Sequence, residues 1–109
     1  MKAMRLVTKE LEKRFVEIGD QTEEEDPVVV AKFFNPQGSG TWYAVSYLPE
    51  SKLFFGYVQI FHDHCDEWGY FSLEELEGYA GRFGLGIERD LYFKERPMSL
   101  VCPKAVREE

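Results

Sequence analysis

The sequence contains little cysteine, no long apolar run and no apolar leader. Its two cysteines, Cys65 and Cys102, are too few for a disulfide framework, so we expect reduced thiols. No apolar run approaches the roughly 20 residues of a membrane-spanning helix. The opening residues MKAMRLVTKE lack the apolar core of about 7–15 residues that a secretory signal peptide requires. These absences predict a cytoplasmic protein that does not enter a membrane.

Basic residues are also scarce relative to acids. Thirteen Lys and Arg oppose 20 Asp and Glu, which gives a formal net charge of −7. Because nucleic-acid binding needs a basic surface, we predict no direct binding to DNA or RNA. The charge suits a basic protein partner or a surface that imitates nucleic acid, although solubility alone explains it most simply.

Aromatic residues, in contrast, are abundant. They make up 16% of a 109-residue chain that is 44% hydrophobic and 30% charged, the balance of a soluble globular protein. This length supports one core, so we treat residues 1–109 as a single domain. Phe, Tyr and Trp exceed what such a core needs, and we expect some of them to line a binding surface.

Two helices are predicted, an amphipathic one near the N-terminus and a second, shorter one. The first begins at the N-cap Thr8 and ends at Gly19, with apolar residues at i, i+4 and i+7 between them. The second spans residues 72–79 and starts with a capping box formed by Ser72 and Glu75. The first helix has one apolar stripe, and both helices are expected to pack on a sheet.

Strand-like runs occupy most of the rest. After an acidic loop at residues 20–27, β-branched and aromatic runs cover residues 28–34, 41–48 and 53–62, and a further strand is predicted at 87–93. Turn-forming residues separate the first three runs, which indicates antiparallel neighbours. The predicted fold is α+β: an antiparallel meander of three to four strands packed with the two helices.

Both faces of the predicted sheet are apolar. In the third run, Phe55 and Tyr57 point to one side while Phe54 and Val58 point to the other. A sheet with one wet face would alternate with polar residues, so something must cover each side. The helices can cover one face. The other needs a different segment, a ligand or another subunit. A proline-punctuated tail occupies residues 95–109, and we expect its Leu100 and Val101 to tie it down.

Several blocks of sequence resemble one known family. DPVVVAKFF, TWYAVSY, FFGYV, GYFSLEEL and GIERDLYF, in that order, are similar to the small bacterial proteins of the domain of unknown function 2958 (DUF2958), and the resemblance runs from Thr8 to about Leu100. It implies no established activity and no catalytic residues. It also implies that the gene belongs to a group often carried on plasmids and other mobile elements. The segment from His62 to Cys65 departs from the family pattern.

The segment HDHCDE is the one candidate metal site. His62 and His64 would share one face of a continuing strand, and Cys65, Asp66, Glu67 or Cys102 could add ligands. However, the chain has only two histidines, their spacing matches no zinc finger, and Cys65 would point away from them. We therefore predict a polar strand exit, with no metal and no cofactor. A small-ligand- or metal-dependent enzyme using His62, His64 and Arg89 is the alternative.

Arg89 lies in the main basic concentration of the chain, with Arg82, Lys94 and Arg96. A surface ion pair, with Arg89 and Asp90 meeting acids of the second helix, is the simpler interpretation. An anion site at Arg89 is the functional alternative.

The leading functional hypothesis is a non-enzymatic interaction module. Seven aromatic side chains with polar groups are the candidate binding residues: Trp42, Tyr43, Tyr47, Tyr57, Trp68, Tyr70 and Tyr92. Such residues are typical of interfaces, and the two-faced sheet predicts a homo-oligomer with a further, unknown protein partner. A mobile-element accessory role follows from the family resemblance. A third hypothesis is an acidic DNA mimic, whose cleanest cluster is Glu74, Glu75 and Glu77.

Overall fold

A computed structural model of the chain describes residues 5–60, 66–79 and 85–106. In chain order the elements are α1 (Lys9–Ile18), β1 (Val28–Val29), β2 (Ala31–Phe34), β3 (Thr41–Leu48), β4 (Leu53–Gln59), β5 (Glu67–Ser72), α2 (Leu73–Gly78), β6 (Glu88–Arg89), β7 (Arg96–Pro97), α3 (Met98–Val101) and a 3-10 turn (Pro103–Ala105). No helix among these residues is long and apolar enough to cross a membrane.

The principal sheet has five antiparallel strands in the order β5-β4-β3-β2-β6. Strands β2 to β5 follow one another as a meander, and β6 pairs with the outer side of β2. A small second sheet pairs β1 with β7. The α+β class and the meander are therefore confirmed, and the principal sheet has one strand more than the upper limit of the prediction.

Both predicted helices are confirmed, with their caps. The Thr8 hydroxyl accepts a hydrogen bond from the backbone N–H of Leu11 at 3.1 Å, and Gly19 closes α1 with φ of 76°, a left-handed value that favours glycine. The Ser72 hydroxyl accepts from the N–H of Glu75 at 3.2 Å at the start of α2. Local capping chemistry thus sets these boundaries.

One side of the sheet, here called the helix face, packs under α1 and α2. Its central residues are Phe33, Ala44 and Phe54, all fully buried, and Phe15 of α1 lies against them with its ring centroid 5.9 Å from that of Phe54. Each buried aromatic side chain of this kind contributes about 1.5–3 kcal/mol to stability. This is the larger of the two cores.

The opposite side, the tail face, is covered by the C-terminal segment 96–106. Its core joins Tyr43, Val45 and Tyr57 of the sheet to Met98 and Cys102 of the segment. The predicted apolar second face is therefore present, and the cover comes from the chain itself over this part of the sheet. The tail is tied down as predicted, with Val101 partly buried against this core, but the main anchor is the fully buried Met98 and not Leu100, which is 70% exposed.

Polar contacts fasten this segment at several points along its length. The N–H of Met98 donates to the carbonyl of Pro27 at 2.8 Å, and the N–H and hydroxyl of Ser99 donate to the Asp26 carboxylate at 2.8 and 2.6 Å. Further along, the Lys104 ammonium donates to the carboxylate of Asp66, whose side chain is 1% exposed, at 2.6 Å. The segment is part of the fold.

The strand prediction needs correction at four places. The run 28–34 is divided at Val30, so Val28–Val29 pairs with β7 and only Ala31–Phe34 joins the principal sheet. The run 87–93 forms a strand only at Glu88–Arg89, because the Asp90 carboxylate accepts from the N–H of Tyr92 at 2.9 Å and turns the chain. The run 53–62 ends as a strand at Gln59, and residues 61–65 lie outside the described part. Strand β5 at 67–72 was not predicted, since Gly69 and the capping signal of α2 obscure its alternation.

A bulge in β3 shapes the tail face. The β3–β4 register shifts between Ala44 and Ser46, so Val45 is the extra residue. Gly56 pairs with Ala44 at this point, and a Cβ there would lie 1.8 Å from the carbonyl oxygen of Tyr43. Only glycine allows β3 and β4 to approach so closely.

Candidate protein-binding cleft

The structure places the seven predicted aromatic residues in three different environments. Tyr43 and Tyr57 are buried in the core of the tail face, so their role is packing. Trp42 and Tyr47 are partly buried against the core of the helix face. Tyr92 is 94% exposed in the turn after β6. It is the one residue of these seven that lies at the β6 edge of the sheet. Trp68 and Tyr70 lie together on β5, at the opposite edge.

Four aromatic rings form a continuous row across β4 and β5 on the tail face. Ring centroids are 5.6 Å apart between Tyr57 and Trp68, 5.7 Å between Trp68 and Phe55, and 5.1 Å between Phe55 and Tyr70. The antiparallel register creates the row, because Phe55 lies opposite Tyr70 and Tyr57 opposite Trp68. This aromatic row starts in the core and ends at Tyr70, which is 60% exposed.

Phe55 is the member of the row that sequence reasoning did not select as a site residue. Its alternation with Phe54 along β4 correctly placed it on the same face as Tyr57. The missing information was the pairing partner, since β5 was not recognised as a strand. Had β5 been recognised as the strand that pairs with β4, the position of Phe55 opposite Tyr70 would have revealed the row.

The acidic loop runs beside the middle of the aromatic row and leaves a cleft. The cleft has a volume of about 400 Å³, and its walls are Gln21, Thr22, Glu23, Glu24 and Glu25 on one side, with Phe55, Trp68 and Ala105 on the other. The three glutamates are exposed, whereas Phe55 and Trp68 are half-buried. The cleft therefore has an aromatic floor, and acidic residues line its other side.

Gln21 holds the acidic loop in this position. Its side-chain amide donates to the carbonyls of Val28 and Val45 at 2.8 and 2.7 Å, and its side-chain oxygen accepts from the N–H of Val28 at 2.8 Å. Its backbone N–H donates to the hydroxyl of the buried Ser46 at 2.7 Å. These bonds use the carbonyl that the β3 bulge frees at Val45, so the bulge and the loop are fixed together.

The floor of the cleft is fixed as firmly as its wall. The indole N–H of Trp68 donates to the carbonyl of Ala105 at 2.8 Å, which joins β5 to the C-terminal segment. The plane of Trp68 lies within 17° of that of Phe55, so the two rings are stacked. Because both rings are held before any partner arrives, binding here would order few side chains.

Burial determines the protonation of the groups beneath the cleft. It raises the pKa of the Cys102 thiol above its ordinary value, and it also raises the pKa of the phenols of Tyr43 and Tyr57. A thiol whose pKa is raised is a poor nucleophile near neutral pH, because the thiolate is the reactive form. Cys102 is thus suited to packing.

Arg89, the predicted anion residue, lies in a second and more open groove. This groove separates the start of α1 from the segment after β6, has a volume of about 720 Å³, and includes Arg14, Lys94 and Glu95. The Arg14 guanidinium makes a bidentate pair with Glu95, at 2.8–3.0 Å, so the charges of these two residues neutralise each other. The Asp90 carboxylate lies 3.7 Å from the Lys32 ammonium. The expected ion pair between Arg89 and acids of α2 stays a prediction.

The predicted metal ligands His62, His64 and Cys65 lie outside the described residues. Among the residues that the structure does describe, no group of three His, Cys, Asp or Glu side chains could hold a metal ion. The metal alternative therefore stays a prediction.

The acids considered for DNA mimicry are not all available at the surface. Glu77 accepts a hydrogen bond from the backbone N–H of Leu6 at 3.1 Å and so ties the N-terminal segment to α2. Glu74 and Glu75 are exposed on the same short helix. One carboxylate of the proposed row is thus engaged in the fold.

One family model matches the chain. It is described as a protein of unknown function, DUF2958, and the match spans residues 6–109. That range contains the acidic loop, the aromatic row and the C-terminal segment. No curated protein matches the chain significantly, and no solved structure does either.

Proposed function

This chain belongs to the DUF2958 family of proteins of unknown function, and we propose that it is a non-enzymatic interaction module that binds a partner protein in the cleft between the acidic loop and the aromatic row. The proposal locates the binding surface at Trp68, Phe55 and Tyr70, the part of the row that lies beyond the buried Tyr57. The remaining predicted aromatics support the fold, except for the exposed Tyr92.

The observation that carries the proposal is the path of the aromatic row. It leaves the core at Tyr57, forms the floor of the cleft at Trp68 and Phe55, and reaches solvent at Tyr70. Protein interfaces combine rigid aromatic residues at the centre with a polar rim, and a few such residues supply most of the binding energy. The cleft has both features.

The cleft lining favours binding over catalysis. Within the described residues it offers carboxylates, amides and aromatic rings, while Cys102, the nearby thiol, is buried below it with a raised pKa. Covalent catalysis would need a nucleophile held beside a base and an orienting group. Rigid aromatic rings beside exposed carboxylates suit recognition of a surface better than bond-breaking.

We further propose that the module acts in the cytoplasm as an accessory of a mobile element. The described free thiol, Cys102, is compatible with a reducing compartment. Self-association stays a separate prediction. The apolar surface that could support it is smaller than expected, because the C-terminal segment covers much of the tail face. Exposed apolar side chains remain at Leu48 and Tyr70. Size-exclusion chromatography with light scattering tests it, and a strict monomer would remove it.

A matched pair of tyrosine variants tests the cleft. Tyr70 and Tyr92 are both exposed but lie at opposite edges of the sheet, so Tyr70→Ser and Tyr92→Ser make the same chemical change at two places. Tagged proteins would be used to capture partners from the host cytoplasm, with quantification by mass spectrometry. We expect Tyr70→Ser to lower retention of a specific partner at least tenfold and Tyr92→Ser to leave it unchanged. Equal retention by both variants would contradict the proposal.

A further inference from the structure

The two walls of the cleft differ in chemistry, and a ligand must satisfy both. Phe55 and Trp68 contribute stacked, half-buried rings to the lining, and Glu23, Glu24 and Glu25 contribute three exposed acidic residues. An apolar ligand would leave the carboxylates without a partner, and an anionic one would be repelled. A long side chain with an aliphatic stem and a cationic head suits both walls.

Resting on the proposed function, we infer that the partner presents a basic linear segment, and that one of its arginine or lysine side chains occupies this cleft. The stem lies on the rings of Trp68 and Phe55, where a cation is attracted to the aromatic faces. The head reaches the carboxylates of Glu23, Glu24 and Glu25. Arginine fits better than lysine because its planar guanidinium stacks on aromatic rings and binds carboxylates in a bidentate manner.

The size of the cleft favours a segment over a folded surface. A volume of about 400 Å³ is near the lower end of ligand sites, which hold about 300–1,000 Å³, so it accepts one or two side chains. A flat domain face could not enter between the loop and the sheet. A flexible basic segment can insert a side chain there without moving Gln21 or the C-terminal segment.

Charge supports the same occupant. The whole chain carries −7, and this field steers a basic partner toward the protein and disfavours a second copy of the same chain. Asp26, the last acid of the loop, is already bound by Ser99. Asp26 therefore stabilises the fold, and Glu23, Glu24 and Glu25 are the loop acids proposed to bind the partner.

The test uses three acetylated and amidated peptides of one length as probes. They are Gly-Ser-Arg-Gly-Arg-Ser-Gly and two versions in which both arginines are replaced by citrulline, which is neutral and nearly isosteric, or by norleucine. Each is titrated into the full-length ¹⁵N-labelled protein while the amides of Glu23–Glu25 and the indole N–H of Trp68 are followed by NMR. We expect the arginine peptide to shift these signals, with a Kd at least fivefold lower than that of either neutral peptide.

A charge-matched pair of variants separates local contact from long-range attraction. Removing the three cleft carboxylates in the triple variant E23Q/E24Q/E25Q should weaken arginine-peptide binding at least fivefold. Removing three exposed carboxylates elsewhere, in E10Q/E74Q/E75Q, changes the net charge equally and should change the Kd less than twofold. Equal effects of the two triple variants would overturn the inference.

The remaining outcomes distinguish this inference from the function on which it rests. If the neutral peptides shift the cleft signals as strongly as the arginine peptide, the cleft binds a partner but the basic class is wrong. If the same signals shift with protein concentration alone, the occupant is a second copy and the inference fails. If no peptide shifts them, the inference fails, and the Tyr70 capture experiment decides the proposed function independently.

Discussion

Replacing Gln21 by alanine should destabilise the protein more than its place in a surface loop suggests. The side chain of Gln21 makes three hydrogen bonds, a buried one to the carbonyl of Val45 at the β3 bulge and two part-buried ones to Val28. Alanine removes all three but retains the backbone bond to Ser46. The carbonyl of the buried Val45 and the N–H of Val28 then lose their partner.

The expected magnitude follows from these bonds. A hydrogen bond of this kind contributes about 1 kcal/mol net, so three of them correspond to about 3 kcal/mol, and stranded backbone groups raise the cost. Domains of this kind are stable by about 5–15 kcal/mol, so the loss is a large share of the total. With a urea m-value of about 1–3 kcal/mol/M, the unfolding midpoint should fall by about 1–3 M.

Gln37 supplies a matched control for this experiment. Its side-chain oxygen is buried yet has no hydrogen-bond partner among the described residues. Gln37→Ala therefore makes the same chemical change without breaking a side-chain bond of that oxygen, and it should shift the unfolding free energy by less than about 0.5 kcal/mol. Urea unfolding followed by circular dichroism measures both variants. If Gln21→Ala is as stable as Gln37→Ala, Gln21 does not hold the loop and the cleft is not preorganised.

Two further predictions concern the glycines of the sheet and the buried thiol of Cys102. Gly56→Ala should cost about 3 kcal/mol or prevent folding, because the added Cβ would overlap the Tyr43 carbonyl. Gly69→Ala is the control, since a Cβ there meets no atom within 4 Å. In the same urea titration it should change the free energy of unfolding by less than about 1 kcal/mol. Stability should also fall as the pH rises above about 9. Burial raises the pKa of the Cys102 thiol in the folded protein above its ordinary value of 9.0. The thiol of the unfolded chain therefore loses its proton at a lower pH than that of the folded chain, which favours unfolding. A urea midpoint that is constant from pH 8 to 10.5, or a Gly69 variant as unstable as the Gly56 variant, would contradict these expectations.

Local sequence signals were sufficient for the helices and for most of the meander. Thr8 and Ser72 are capping residues that act within one turn, so their effect is readable without knowing the fold. The two-faced character of the sheet was also readable, since alternation along β4 correctly assigned Phe54 and Phe55 to opposite faces. Such features depend on neighbours in sequence.

The candidate site depends on contacts between distant residues and was only partly predictable. Trp68 and Tyr70 were selected for their chemistry, but their alignment with Phe55 requires β5, which its sequence did not reveal. The hydrogen bonds of Gln21 span 24 residues to Val45 and leave no periodic signal. Composition identified the aromatic surplus, and only tertiary pairing separated Tyr70 at the surface from Tyr57 in the core.

The most direct test of the central claim is photocrosslinking at the exposed end of the aromatic row. p-Benzoylphenylalanine would replace Tyr70 in one protein and Tyr92 in another, both expressed in the native host and irradiated in living cells. The account predicts that position 70 crosslinks to a distinct partner through an arginine- or lysine-rich segment and that position 92 does not. Crosslinking of the same partner from position 92 alone, or only background from both positions, would contradict it.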